Sequence, residues 1–196
     1  LQFDRSISTQ ITSQKPKKSR SSKTMRPSQA LSLLTLLMLL ASSTASVLQD
    51  TCKRFGGADT YDICIEFFKA NRDSATADKR GLAIIATGIA SATAMDTRKR
   101  ITTLKAGEKD QMIQQVIAYC DNMYSGAVGL FDKAAKGISS GNLGDAVTSL
   151  SSALDIPQYC DDEFLKAGVK SPFDAENFEF GVQCAITLDV TKLLTL

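Results

Sequence analysis

The chain of 196 residues contains no histidine and no tryptophan. Without histidine, neither a Ser-His nor a Cys-His nucleophile pair can form, and a zinc site cannot use imidazole ligands. A general base working near neutral pH would have to be a carboxylate or a lysine with a strongly shifted pKa. The chain also lacks an Asn-x-Ser/Thr sequon, so we expect no N-linked glycan. These absences predict a protein that is not an enzyme.

The sequence has no apolar run long enough to span a bilayer, which takes about 20 residues. The apolar stretch at residues 31–41 (LSLLTLLMLLA) follows Met25-Arg26 and precedes the small residues Ser43-Thr44-Ala45. This layout is typical of a cleaved secretory signal peptide, which we place at residues 25–45. Residues 1–24 do not begin with Met, so we interpret them as an upstream extension. Residues 191–196 carry no retention signal, which predicts secretion to the extracellular space or apoplast, with the vacuole as an alternative.

Removing the leader reverses the sign of the net charge. Residues 1–45 carry seven of the 23 basic residues and one of the 21 acidic residues, so residues 46–196 carry 16 and 20, a net charge of −4. A mildly acidic domain has no electrostatic reason to bind nucleic acid or a polyanionic polymer. We therefore expect a protein partner, no nucleic acid and, after signal cleavage, no membrane. Residues 46–196 are long enough for one domain with its own core.

The five cysteines restrict how the chain can be crosslinked. In an antiparallel helical hairpin, residues equidistant from the turn lie at the same height, and a disulfide needs Cα atoms within about 7 Å. The midpoint of Cys52 and Cys64 falls in a Gly-Gly turn, and the midpoint of Cys120 and Cys160 falls in a Ser-Gly-Asn turn. Cys160 and Cys184 also have a turn, at Pro172, as their midpoint. Two pairing patterns therefore stay open, both in the oxidising environment that a secreted protein meets.

Helical periodicity dominates residues 46–196, and no β pattern competes. A short hairpin is predicted at about 47–70, followed by a bundle at about 78–196 whose four helices cover about 78–104, 109–137, 143–167 and the region after Pro172. Pro157 lies inside the third helix and should kink or break it. The predicted fold is all-α, an up-down-up-down four-helix bundle with an N-terminal helical hairpin.

Apolar stripes define the faces expected to be buried. In the first bundle helix the stripe is Leu82, Ile85, Ile89, Ala92 and Met95. In the second, two adjacent stripes are predicted to face the interior: Met112, Val116, Tyr119, Met123, Ala127, Leu130 and Ala134, and Ile113, Ile117, Cys120, Tyr124, Val128, Phe131 and Ala135. The third helix carries Leu143, Val147, Leu150 and Leu154, and the fourth carries Phe180, Cys184 and Leu188.

Few residues are candidates for chemistry. Asp161, Asp162 and Glu163 are consecutive, so on a helix they fan out rather than converge on a metal ion, and we interpret them as a solvated acidic face. Tyr119, Tyr124 and Phe131 could line a cavity for a small apolar ligand, but apolar residues at helical spacing are more often core. Cys184 lies on an apolar stripe and is expected to be a buried hydrophobe. No metal and no cofactor are predicted.

Five sequence features together resemble the plant invertase/pectin methylesterase inhibitor family, over essentially all of residues 46–196. They are Cys52 with Tyr61-Asp62-Ile63-Cys64; Cys120-Asp121-Asn122-Met123-Tyr124; residues 145–164 (DAVTSLSSALDIPQYCDDEF); Ser171-Pro172 followed by Glu176-Asn177; and Thr191-Lys192-Leu193-Leu194. In the third of these, a cysteine follows an Ala-Leu pair by six residues and precedes x-Asp-x-Phe. The overall sequence is most similar to the pollen-allergen branch of this family.

The resemblance implies Cys52–Cys64 and Cys120–Cys160 disulfides, with Cys184 left as a free thiol. It implies a secreted, non-catalytic protein that binds pectin methylesterase or an acid invertase in a 1:1 complex. Invertase inhibitors of the family carry Pro-Lys-Phe at the start of the third bundle helix, where this chain has Asn142-Leu143-Gly144, so the target stays open. We predict the partner surface at this turn, with Asn142, Leu143, Asp145 and Thr148. The alternative hypothesis is a secreted bundle that binds a small apolar ligand.

Overall fold

The computed structural model describes residues 47–196. The predicted signal peptide and the upstream extension lie outside the described residues. Residues 47–53 form the described part of α1, and a short 3₁₀ turn spans Arg72–Ala75. The other helices are α2 (Ala58–Lys69), α3 (Lys79–Gly107), α4 (Gln111–Ser140), α5 (Leu143–Leu154), α6 (Ile156–Lys166) and α7 (Asp174–Lys192). Within residues 47–196, no helix combines the length and the apolar character that a membrane span requires.

The N-terminal hairpin is formed by α1 and α2. Its turn contains Gly56 and Gly57, whose φ angles of 71° and 76° lie in the left-handed region that favours glycine. A Cys52–Cys64 disulfide crosslinks the two helices, with Cα atoms 5.6 Å apart. Phe68 is fully buried in the common core, which attaches the hairpin to the bundle. The structure thus contains the predicted hairpin.

The four-helix bundle has short connections that keep its neighbouring helices antiparallel. Asp78 begins α3, where its side chain accepts a hydrogen bond of 2.7 Å from the Gly81 amide. Asp110 begins α4 and accepts from the amides of Met112 and Ile113. Such caps satisfy amide groups that have no partner inside the helix. The predicted all-α bundle is confirmed.

The third helix of the bundle is broken into two. We predicted one helix from about 143 to 167, disturbed by Pro157, whereas α5 ends at Leu154 and α6 begins at Ile156. Pro157 lies in the first turn of α6, where its missing N–H removes no intrahelical hydrogen bond. Asp155 keeps a right-handed helical conformation between the two pieces. The chain therefore continues in roughly the same direction across the break.

The buried stripe of α3 differs from the predicted one. Met95 is 46% exposed and Ala92 is also exposed, so both predictions were wrong. The side chains that α3 buries are mostly small: Leu82, Ala83, Ala86, Thr87, Ala90, Ala94, Thr97 and Ile101. Short side chains allow helix axes to approach closely, and α3 packs against both α4 and α7. On this helix, therefore, the hydrophobicity of individual side chains did not predict which of them are buried.

The two stripes predicted for α4 contribute unequally to the core. Met112 is exposed and Tyr119 is 39% exposed, so the predicted interior positions of these two residues were wrong. The buried side of α4 is formed by Ile117, Cys120, Tyr124, Ala127, Phe131, Ala134, Gly137 and Ile138. This side faces α3 and both pieces of the third helix.

Candidate functional site

The second disulfide joins α4 to α6. The Cα atoms of Cys120 and Cys160 are 5.1 Å apart, and both residues are fully buried. Cys184 on α7 is a free, buried thiol whose Sγ lies 3.8 Å from the Ala153 carbonyl oxygen. Burial raises the pKa of this thiol, so its reactive thiolate form is disfavoured. The pairing in the structure is the one that the family resemblance implies.

A buried polar chain lies beside this disulfide. The Tyr124 hydroxyl donates to Asn177 Oδ1 at 2.6 Å, and Asn177 Nδ2 donates to Asp161 Oδ1 at 2.5 Å. Asp161 is half-buried and helps to hold α7 against α6, so it is not simply part of a solvated acidic face. Burial is the main reason that the pKa of Tyr124 is raised. Among the described residues, no group of three His, Cys, Asp or Glu side chains is arranged to hold a metal ion.

Aromatic side chains occupy the centre of the bundle. The Phe180 ring lies 5.1 Å from the Tyr124 ring and 5.9 Å from the Phe131 ring, measured between centroids. All three side chains are buried. Tyr119, the third residue considered for an interior ligand cavity, is instead directed outward. The structure therefore assigns Tyr124 and Phe131 to the core, as their helical spacing favoured.

The predicted partner surface begins at the turn between α4 and α5. Gly141 ends α4 with a φ of 82°, and Asn142 begins α5. Asn142 Oδ1 accepts from the Asp145 amide at 3.5 Å, and Asn142 Nδ2 donates to Asp145 Oδ2 at 2.7 Å. Both side chains are exposed, whereas Leu143 is half-buried. The Asp145 carboxylate is thus an exposed group held in a defined position.

Tight packing fixes the position of this turn. A Cβ atom on Gly137 would lie 2.8 Å from the Asn142 carbonyl oxygen and 3.2 Å from the Ala146 Cβ, so only glycine fits without a shift of the backbone. From α3, Arg80 Nη1 donates a hydrogen bond to the Ile138 carbonyl oxygen. Three helices therefore meet at this end of the bundle.

An exposed stripe continues from the turn along α5 and α6. Its members are Asp145, Thr148, Ser152, Asp155 and Tyr159, all of which are exposed. Spacings of three and four residues place Asp145, Thr148 and Ser152 on one side of α5. Ser152, Asp155 and Tyr159 line one groove, which continues the stripe onto α6. We define these five residues as the α5–α6 stripe. Only its first two members, Asp145 and Thr148, were predicted from the sequence. Searching for polar residues at helical spacings of three and four would have added Ser152, Asp155 and Tyr159.

A shallow groove of about 440 Å³ lies between α4 and the C-terminal part of the stripe, from Ser152 to Tyr159. Ser152, Asp155 and Tyr159 form one wall together with Ile156. The α4 wall consists of Asn122, Met123, Gly126 and Leu130. Gly126 leaves space in this wall, because nothing lies within 4 Å of the position that its Cβ would take. The arrangement combines polar groups with an exposed aromatic ring, which is common in protein interfaces.

Several known proteins are similar to this chain over most of its length. A protein from Platanus acerifolia named "Putative invertase inhibitor" is 30% identical over 163 residues, covering 81% of this chain and 91% of that protein. "Cell wall / vacuolar inhibitor of fructosidase 2" from Arabidopsis thaliana is 26% identical, covering 73% and 79%. "Pectinesterase inhibitor 28" from Oryza sativa subsp. japonica is 25% identical, covering 80% and 72%.

Solved structures share the fold. A crystal structure of a pectin methylesterase inhibitor from Arabidopsis thaliana superposes with a TM-score of 0.56 at 19% identity, covering 76% of this chain and 97% of that one. A mutant form of such an inhibitor from Arabidopsis has a TM-score of 0.59 at 22% identity, covering 68% and 89%. The family model described as "Plant invertase/pectin methylesterase inhibitor" matches residues 46–190. With its helical bundle and two disulfides, this chain belongs to the plant invertase/pectin methylesterase inhibitor family.

Proposed function

We propose that this protein is a non-catalytic inhibitor that forms a 1:1 complex with a pectin methylesterase or an acid invertase. The observation that carries the proposal is its match, over most of its length, to relatives named for inhibition of both enzyme classes. The chemistry of the chain agrees with such a role, because the chain lacks histidine. The Tyr124 phenol and the Cys184 thiol have raised pKa values, but both groups are buried in the core. Inhibition would then depend on the shape of its surface and on hydrogen bonding.

The α5–α6 stripe with its adjacent groove is our proposed docking surface. The Cys120–Cys160 disulfide ties α6, which carries Tyr159, to α4, and the Tyr124–Asn177–Asp161 hydrogen bonds connect α6 to α4 and α7. A surface held in this way loses little conformational entropy on binding. Asp145 and Asp155 make the stripe acidic, so the complementary region of the enzyme should present hydrogen-bond donors or cationic side chains. At the N-terminal end of α5, Asp145 and Thr148 begin this docking surface. Asn142 is hydrogen-bonded to Asp145 there, and Leu143 is half-buried.

Secretion is part of the proposal. Two disulfides suit an oxidising compartment, and residues 25–45 have the layout of a signal peptide. The encounter with the target enzyme would take place in the cell wall, or in the vacuole for a vacuolar invertase. N-terminal sequencing of the protein secreted by a plant host should find a chain that begins near residue 46. A mature chain that retains residues 31–41 would contradict the predicted cleavage.

Paired inhibition titrations test the function. Protein secreted by a eukaryotic host is titrated into a fixed concentration of pectin methylesterase and, separately, of acid invertase, each at acidic and near-neutral pH. We expect one enzyme to lose activity with an endpoint at one inhibitor per enzyme. Full activity of both enzymes at micromolar inhibitor would overturn the proposed function.

A matched pair of variants tests the docking surface. Thr148→Arg adds a large cation to the stripe, and Thr102→Arg adds the same group on α3. Both threonines are exposed, and each hydroxyl donates to the carbonyl oxygen four residues earlier. We expect Thr148→Arg to weaken inhibition at least about tenfold, which is about 1.4 kcal/mol, and Thr102→Arg to leave it unchanged. Equal inhibition by both variants would exclude the stripe as the docking surface.

A further inference from the structure

A second groove lies between the hairpin and the bundle, away from the proposed docking surface. Its volume is about 430 Å³, within the range of small-molecule sites. Seven of its lining residues are apolar and come from three helices: Ile63, Phe67 and Ala70 of the hairpin side, Ile89 of α3, and Phe178, Val182 and Ile186 of α7. The other three are Glu66, Glu179 and Gln183.

Two large apolar side chains of this groove are exposed to water. Phe178 is 75% exposed and Ile63 is 48% exposed. A cluster of exposed apolar side chains that lines a concave surface is characteristic of a binding site, whereas isolated exposed apolar residues are common. A ligand with an apolar body would remove these side chains from water.

The polar side chains of the groove determine which head group a ligand with an apolar body should carry. Glu179 is exposed, and it forms no salt bridge with any residue between 47 and 196. Glu66, the other carboxylate that lines the groove, is paired with Lys69, with 2.6 Å between Lys69 Nζ and Glu66 Oε2. Gln183 Nε2 donates to Glu179 Oε1 at 3.1 Å, while Gln183 Oε1 is buried and accepts no hydrogen bond from the described residues. Among the described residues, the Glu179 carboxylate therefore has Gln183 Nε2 as a donor but no cation to balance its charge.

We propose that this groove binds an amphiphilic primary amine, a molecule with an apolar chain and a cationic ammonium group. The chain would lie along Ile63, Phe178 and Val182. An ammonium group carries three N–H donors and a positive charge, which match the exposed Glu179 carboxylate. A carboxylate head group would be repelled by Glu179, and an alcohol would supply only one donor. The site is independent of enzyme inhibition.

The absence of tryptophan allows a specific reporter to be placed in the groove. Phe178→Trp puts a fluorophore at its mouth, and Leu165→Trp puts one at a position on α6 that is equally exposed, at 75%. The probes are dodecylammonium, dodecanol and dodecanoate, used below the concentrations at which they form micelles. We expect dodecylammonium to cause a saturable blue shift in Phe178→Trp and none in Leu165→Trp. Circular dichroism verifies that both variants are folded.

Head-group selectivity and a charge variant complete the test. Dodecylammonium should bind more tightly than dodecanol, and dodecanol more tightly than dodecanoate. Adding Glu179→Gln to the Phe178→Trp variant should weaken dodecylammonium binding about fivefold and leave dodecanol binding unchanged. The control is Asp132→Asn, which removes an exposed carboxylate on α4 and should change the binding of neither probe. No blue shift, or equal binding of the amine and dodecanoate, would overturn the proposal. A blue shift that grows with protein concentration alone, together with dimers in sedimentation, would assign the groove to a second copy of the chain and also overturn it.

Discussion

Tyr124 and Asn177 are separated by 53 positions in the chain, yet the Tyr124 hydroxyl donates a hydrogen bond of 2.6 Å to the Asn177 side chain inside the bundle. Asn177 uses its amide nitrogen to reach Asp161, so one buried amide connects α4, α6 and α7. The amide therefore has both of its polar ends satisfied, as buried polar groups require. This connection lies beside the disulfide that ties α4 to α6.

Tyr124→Phe should lower the free energy of unfolding by about 1–3 kcal/mol, because it leaves the buried Asn177 Oδ1 without its donor. Tyr159→Phe is the matched control, since Tyr159 is exposed and its change should stay within about 0.5 kcal/mol. Urea denaturation followed by circular dichroism measures both. Equal stabilities of the two variants would show that the buried hydrogen bond contributes no net stability.

Alkaline pH should destabilise the protein through Tyr124. Burial, reinforced by nearby Cys184 and Asp161, raises the pKa of this phenol, so the folded protein holds the proton more tightly than the unfolded chain does. The resulting stability is complete below about pH 10, the ordinary pKa of tyrosine, and is lost as the pH rises above it. Above that pH the free energy of unfolding should fall more steeply for the native protein than for Tyr124→Phe. Parallel slopes in urea titrations from pH 8 to pH 11 would contradict the assignment.

Two glycines of α4 should respond oppositely to alanine. Gly137→Ala brings a Cβ to 2.8 Å from the Asn142 carbonyl oxygen, so we expect a loss of about 1–3 kcal/mol in the free energy of unfolding. Gly129→Ala meets nothing within 4 Å and should gain about 0.5–1 kcal/mol from its higher helix propensity. Thermal unfolding distinguishes the two. A stable Gly137→Ala variant would mean that the turn is free to move away from α4.

The two disulfides should act on different parts of the molecule. Replacing Cys120 and Cys160 by alanine should cost the bundle about 4 kcal/mol, the chain-entropy value for a closed loop of about 40 residues. Replacing Cys52 and Cys64 should mainly release the short hairpin helices, which are marginal without a crosslink. Hydrogen exchange should then rise within residues 47–69 and change little in α4. Faster exchange in α4 than in the hairpin would contradict this division.

Cys184 should be the sole thiol to react with iodoacetamide, and only after unfolding. Its side chain is fully buried and burial raises its pKa, so the native protein presents almost no accessible thiolate. Peptide mass mapping at pH 8, with and without denaturant, provides the measurement. Labelling of the native protein, or of Cys120 or Cys160 in denaturant alone, would show that the thiol is accessible or that the disulfide pairing differs.

Sequence patterns were sufficient to predict the helices and their order. Capping residues and turn glycines act locally, so α3 and α4 begin within one or two residues of the predicted positions. Of the five residues of the α5–α6 stripe, the prediction included only Asp145 and Thr148, because it followed the family's motif position at Asn142. The groove at Phe178 was not predicted, since its walls come from three helices that are distant in the chain.

The amino-acid sequence alone determined the helical class, the hairpin, the order of the helices and a choice between two disulfide patterns, because periodicity, capping and cysteine spacing are properties of neighbouring residues. Only the tertiary structure decided which residues of the predicted stripes on α3 and α4 are buried. Met95 and Tyr119 lie outside, whereas four alanines of α3 lie inside (Ala83, Ala86, Ala90 and Ala94), because close packing depends on the volume of all facing side chains together. The same packing turned Asn177 inward to Tyr124 and left Phe178, its neighbour in the sequence, in water.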